Sequence, residues 1–210
     1  MGTALLIIFL FGVVSFAMLM GVLSLYNGLS TAKSASHVAF SQMETDMARR
    51  YELMAGLVDA ARNYMKPERA TLEALLTARN NASTALNSVL SDPSNPTFML
   101  HLLEAETHML EMFARLKVVA ETYPEFKSSR NIKLILRELA LTGERLALIS
   151  RTYNESAEGF NAQRKAFPSI LLASFLGFKT IPLYEFPKPE APAEEDLPSV
   201  EKHSSKVFYG

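Results

Sequence analysis

The stretch of this chain best equipped for side-chain chemistry is HLLEAETHMLE (101–111). His101, Glu104, His108 and Glu111 follow one another at intervals of three, four and three, which gathers them on one face of a helix. Imidazole and carboxylate together can hold a divalent transition metal. Di-metal sites in helical bundles, however, use Glu-x-x-His turned inward, with carboxylates from other helices. Here the order is His-x-x-Glu and the positions flank the apolar seam, so the spacing predicts a solvated face of His–Glu pairs. Metal ligation by this face is the alternative. Arg49-Arg50 could meet an acidic lipid head or a partner's carboxylate, and this pair is expected to face a partner. There is no cysteine, no nucleophile-elbow serine, P-loop, dinucleotide fingerprint or His-Glu-x-x-His. The expectation is a protein that is not an enzyme and carries no cofactor.

These residues need a scaffold, and composition says what kind. The chain has 210 residues, a net charge of −1 and no tryptophan. Without a basic stripe, no nucleic-acid partner is expected. Ten methionines and abundant alanine favour helices. From Ala4 to Leu25 no side chain is charged, and the first charged one is Lys33. A helix needs about 20 apolar residues to cross a bilayer core. A cleavable signal would be shorter and preceded by basic residues. Residues 1–25 therefore read as an uncleaved transmembrane anchor, with the lipid bilayer as a partner. Lys33, Arg49 and Arg50 follow the span and nothing basic precedes it, which favours a cytoplasmic domain.

Beyond the span the apolar spacing predicts four long helices. The first carries Val38, Met43, Met47, Met54, Leu57, Val58, Ala61 and Met65, with Glu44, Asp46, Arg49, Arg50 and Glu52 on its wet face. Pro67 kinks it or starts the second, which runs to Leu90 with Leu72, Leu75, Leu76 and Leu86. SDPSNP (91–96) is a break. The third helix repeats Phe98, Leu102, Ala105, Met109, Met112, Leu116, Val119 and Tyr123, and YPEFKSS (123–129) ends it. The fourth starts near Asn131. Its Ile132, Leu139, Leu146, Tyr153, Phe160 and Phe167 stand seven apart, with Ile135, Thr142 and Ile149 between them, a heptad seam ending at Pro168. The fold class is all-α, an N-terminal transmembrane helix followed by an antiparallel up-down bundle with coiled-coil-like packing over residues 26–186.

An aromatic followed by asparagine occurs three times, at Tyr26-Asn27, Tyr153-Asn154 and Phe160-Asn161. In an up-down bundle the fourth helix returns to the membrane. All six residues are then expected in one membrane-proximal cluster. FPSILLASFLGFKTIPLYEF (167–186) follows, with only Lys179 and Glu185 charged. It reads as an interfacial segment or as an apolar cap on the bundle. Residues 187–210 are acidic and proline-rich, hence a disordered tail.

Several of these segments together resemble the LemA family of single-span bacterial membrane proteins. They are YNGL (26–29), AFSQMETDMARRYEL (39–53), ERATLEALLTARN (68–80), LKVVAETYPEFKSS (116–129) and RELALTGERLALISRTYNESAEGFNAQRKAFPSILLASFLGF (137–178). The chain departs from the family pattern after the double arginine, where ELMAGLV (52–58) lacks the usual proline and asparagine, and at Phe40, where tryptophan is usual. The resemblance implies a membrane-anchored bundle of long helices with no established enzymatic activity, in a bacterial inner membrane. Its MamQ-type branch serves magnetosome formation in magnetotactic bacteria, and a magnetosome membrane is the narrower expectation. The functional expectation is a structural or interaction protein that helps organise a membrane or organelle, with other membrane proteins, or a second copy of the chain, as partners. The alternatives are a membrane-tethered metal-handling protein or enzyme using the His101/His108 face, and a regulator of a membrane protease or sensor.

Overall fold

The computed structural model describes residues 2–186, and within them the chain is all-α. Helix α1 runs unbroken over Gly2–Ala61, 60 residues with no proline to interrupt it. Its first third exposes every large apolar side chain from Leu5 to Leu23, and this is the one described helix long and apolar enough to cross a membrane. Burial begins at Leu29 and continues through Phe40, Met43, Met47, Met54, Leu57 and Ala61. One rod is thus lipid-type at one end and core-type at the other. A short 3₁₀ turn, Lys66–Glu68, contains Pro67 and leads into α2, Arg69–Ser91. Asp92 then accepts a hydrogen bond from the Ser94 backbone N–H (3.2 Å), and Asn95 caps α3 by accepting from that of Thr97 (3.0 Å). Pro96 at the first helical position of α3 (Pro96–Ala120) completes this start, since its missing N–H would be unpaired there anyway.

A single turn, α4 (Pro124–Ser128), seats Phe126 in the core, and α5 runs Arg130–Lys165. α1 packs along α5 and α2 packs along α3, and the two pairs join through α1 and α2. Contacts such as Phe40–Tyr153 and Asp46–Arg145 set α1 antiparallel to α5. With 36 residues, α5 is about 54 Å long, as is the 26–61 portion of α1, so α5 returns to the point where the exposed apolar run ends.

The fourth seam is buried at Ile132, Leu139, Leu146, Tyr153 and Phe160, yet Phe167 is 83 % exposed. The helix has ended at Lys165, and Ala166 is already extended, so the heptad register does not reach Phe167. The second seam position also drifts, from Thr142 to Ser150 and Ala157 instead of Ile149. A straight helix turns every 3.6 residues and slips against a strict seven-residue repeat. On α3 the buried set is Met99, Leu102, Glu106, Met109, Met112, Leu116 and Ala120. Phe98, Ala105 and Val119 are its half-buried neighbours. On α1, Val38 is exposed and Ala39 and Phe40 take its place.

After α5 comes α6, Ser169–Phe175, and then an extended strap over residues 178–186. The apolar segment that read as one unit is therefore two. Ile181 and Tyr184 of the strap are buried against the bundle. The expected disordered tail, 187–210, lies outside the described residues.

Candidate site: a clamped strap over a buried ion pair

The strap is held by α5. Asn161 donates through Nδ2 to the Ile181 carbonyl (2.7 Å) and accepts through Oδ1 from the Ile181 N–H (3.0 Å). Asn154 does the same with both backbone groups of Tyr184, at 2.9 Å each. An asparagine amide carries the donor and acceptor of a peptide group, so each one substitutes for a residue of a neighbouring strand. The spacing fits. Seven residues of helix advance about 10.5 Å, and three residues of a polyproline-II-like chain, which returns to the same side every third residue, advance about 9 Å. Between the two clamps the Tyr153 hydroxyl donates to the Pro182 carbonyl (2.7 Å), and just before them Arg164 donates to Thr180 Oγ1 (2.5 Å). On its other side the strap shares a cleft with Pro96, Met99, Leu100 and Leu103 of α3. It therefore occupies the side of the bundle between α3 and α5.

The six aromatic–asparagine residues thus divide. Tyr26 meets the Phe178 ring at 6.1 Å, and Phe178 meets Phe160 at 6.2 Å, so these two predicted residues are bridged by a third aromatic. Tyr153 meets the Phe40 ring at 5.5 Å, tilted by 56°. Asn154 and Asn161 turn to the strap and not to Tyr26-Asn27, and Asn27 is exposed.

Inside the bundle, Arg50 of α1 forms an ion pair with Glu106 of α3, and both are buried. Tyr51 donates its hydroxyl to the other oxygen of Glu106. Arg79 of α2 donates to the Tyr51 carbonyl (3.0 Å), so the cluster joins three helices. Tyr184 of the strap is fully buried beside Arg50, and its hydroxyl has no partner among the described residues. Burial drives the Arg50 guanidinium down from its ordinary value, opposed by the nearby Tyr184 and Tyr51 phenols. It drives the Tyr51 and Tyr184 phenols up, with Arg50 pulling both the other way. Burial alone raises Tyr153.

Arg50 is therefore not a partner-facing charge, which corrects the expectation for it. It occupies a core position in the spacing Met43, Met47, Arg50, Met54, Leu57, and Glu106 occupies the corresponding place between Leu102 and Met109. Two opposite charges, each replacing an apolar residue in a regular stripe, were the signal of this pair. Arg49 does face outward, 4.0 Å from Glu52. Asp46, expected on the wet face, is partly covered because it pairs with Arg145 of α5 at 3.3 Å.

On α3, His101 stands 3.4 Å from Glu104 and His108 3.6 Å from Glu111, all four well exposed. Among the described residues, no three His, Cys, Asp or Glu side chains are grouped to hold a metal. The Glu106 carboxylate is enclosed, with both oxygens engaged by Arg50 and Tyr51, so no substrate could reach it. What this arrangement can do is fix α1, α3, α5 and the strap in one register.

No curated protein matches the chain. The LemA family matches over residues 39–201, from the point on α1 where bundle burial becomes continuous and across α2 to α6, the clamp and the ion pair. That match covers most of the sequence, and the chain belongs to the LemA family.

Proposed function

We propose that this protein is a single-pass membrane-anchored structural and interaction module that helps organise the membrane carrying it, and that it performs no catalysis. The observation that carries this reading is α1, a single helix that is wholly exposed and apolar over its first third and core-forming over the rest. LemA membership is consistent with a membrane-associated helical protein. The bundle would then stand on the cytoplasmic face of a bacterial inner membrane, on the side of Lys33, Arg49 and Arg50. Its partners would be other membrane proteins, met through exposed faces such as that of Arg49. A magnetosome membrane of the MamQ type is a narrower version of the same role.

The test is in-cell cross-linking and affinity capture of the full chain, with the membrane fraction identified. Reproducible capture of specific membrane proteins supports the module. An even spread over the cell membrane with no specific capture argues against it. Stoichiometric zinc or iron in the purified protein, lost in His101→Ala/His108→Ala, would replace it with a metal-handling role.

A further inference from the structure

Helix α6 is built inside out. The residues it turns to the bundle are small, Ser169 and Ala173, both buried. The residues it turns outward are large and apolar: Leu171 is 68 % exposed and Phe175 86 %, with Ile170 beside them. Phe167, just before the helix, continues this line at a spacing of four. A short helix on a water-facing surface has the opposite arrangement, because burying a Phe or Leu side chain is worth about 1.5–3 kcal/mol.

Its position says what covers this face. α6 packs against both α5 and α1 at the end where α5 returns to the span. Phe178, three residues past α6, touches Tyr26, the first residue beyond the apolar run Ala4–Leu25. α6 therefore sits at the end of α1 where the exposed apolar surface begins. Lys33 and Lys165 are exposed near it, with the Lys33 ammonium 5.9 Å from the Phe178 ring centre, while Lys179 is taken up by Asp92 of the α2–α3 turn at 3.8 Å. Apolar side chains on one face with lysines at the rim are the composition of a helix lying in a bilayer interface.

We propose that α6 is a second, in-plane membrane contact, with Phe167, Leu171 and Phe175 inserted among the upper acyl chains of an anionic bilayer and Lys33 and Lys165 at its headgroups. The proposal rests on the span of α1 being in the bilayer, and the test separates the two. The chain has no tryptophan, so Phe175→Trp in the full-length protein gives a single reporter. Leu171→Trp is a second reporter on the same face. Phe16→Trp reports on the span, and Leu148→Trp, on an exposed site along α5, reports on water. Each variant is placed in phosphatidylcholine–phosphatidylglycerol nanodiscs with acyl chains brominated near the headgroup or near the bilayer centre. Iodide is the aqueous quencher.

The expected result is that Phe175→Trp and Leu171→Trp lose emission with bromine near the headgroup and are protected from iodide, whereas Leu148→Trp shows the reverse. If both α6 variants are open to iodide and untouched by bromine, while Phe16→Trp is quenched by bromine, the in-plane contact is overturned and the anchor stands. Shielding of both α6 reporters from both quenchers would mean that protein covers α6, and would overturn it equally. Emission from Phe16→Trp untouched by bromine at either depth would remove the anchor and this proposal together.

Discussion

Glu106 and the two clamp asparagines carry the sharpest consequences of single side chains. A buried charge left without its partner costs about 3–5 kcal/mol, whereas replacing both members with apolar residues is often neutral or stabilising. Glu106→Ala should therefore lower the unfolding free energy by about 3–5 kcal/mol, and adding Arg50→Met to Glu106→Met should recover most of that loss. Chemical denaturation of the three variants checks it, and equal losses in the single and double variants would mean the pair is not buried. Asn161→Leu removes both hydrogen bonds to Ile181 and leaves peptide groups unpaired, at about 1–3 kcal/mol. The signature is local: amide exchange over 178–186 should accelerate while the core of α1 keeps its protection. The buried phenols of Tyr51, Tyr153 and Tyr184 set a pH dependence. Their folded values are raised above the unfolded one of about 10, so above that pH the unfolded chain loses protons that the folded chain keeps. Stability is then full below about pH 10 and falls as pH rises further, by up to about 1.4 kcal/mol per pH unit for each phenol. Urea midpoints at pH 9 and 11 read this directly, and Tyr153→Phe should make the fall shallower.

Among the elements, the long helices were legible because each has an apolar stripe, a punctuating proline or an asparagine cap, as SDPSNP shows in full. The register was less so. A heptad written from Ile132 reads correctly through Phe160 and then counts Phe167, because periodicity carries no information about where the backbone leaves the helix. That difference is measurable. Phe160→Ala should destabilise by about 3–5 kcal/mol. Phe167→Ala, at a side chain that touches little of the bundle, should cost less than about 0.5 kcal/mol. The clamp was half legible. The repeated aromatic–asparagine pair pointed to a common role for Asn154 and Asn161, but their partner is main chain, which leaves no mark in a sequence. Only the match between two helical turns and three extended residues could have suggested it. Glu106 was hidden differently, by the neighbouring Glu104 and His108 that draw the eye to the wet face of the same helix.

For the whole molecule, the exposed apolar run proposed as the span and the bundle share one uninterrupted helix, with no linker and no proline between Leu25 and Ala61. A transmembrane helix adjusts to bilayer thickness by tilting. Because α5 is packed along the same rod, the domain follows that tilt as a lever. A change of roughly 10° in the span would sweep the Ala61 end, about 54 Å away, through about 9 Å. With the proposed span in the bilayer, bilayer thickness would be translated into the lateral reach of the bundle's far end, a mechanical readout that a flexible tether at Tyr26 would throw away.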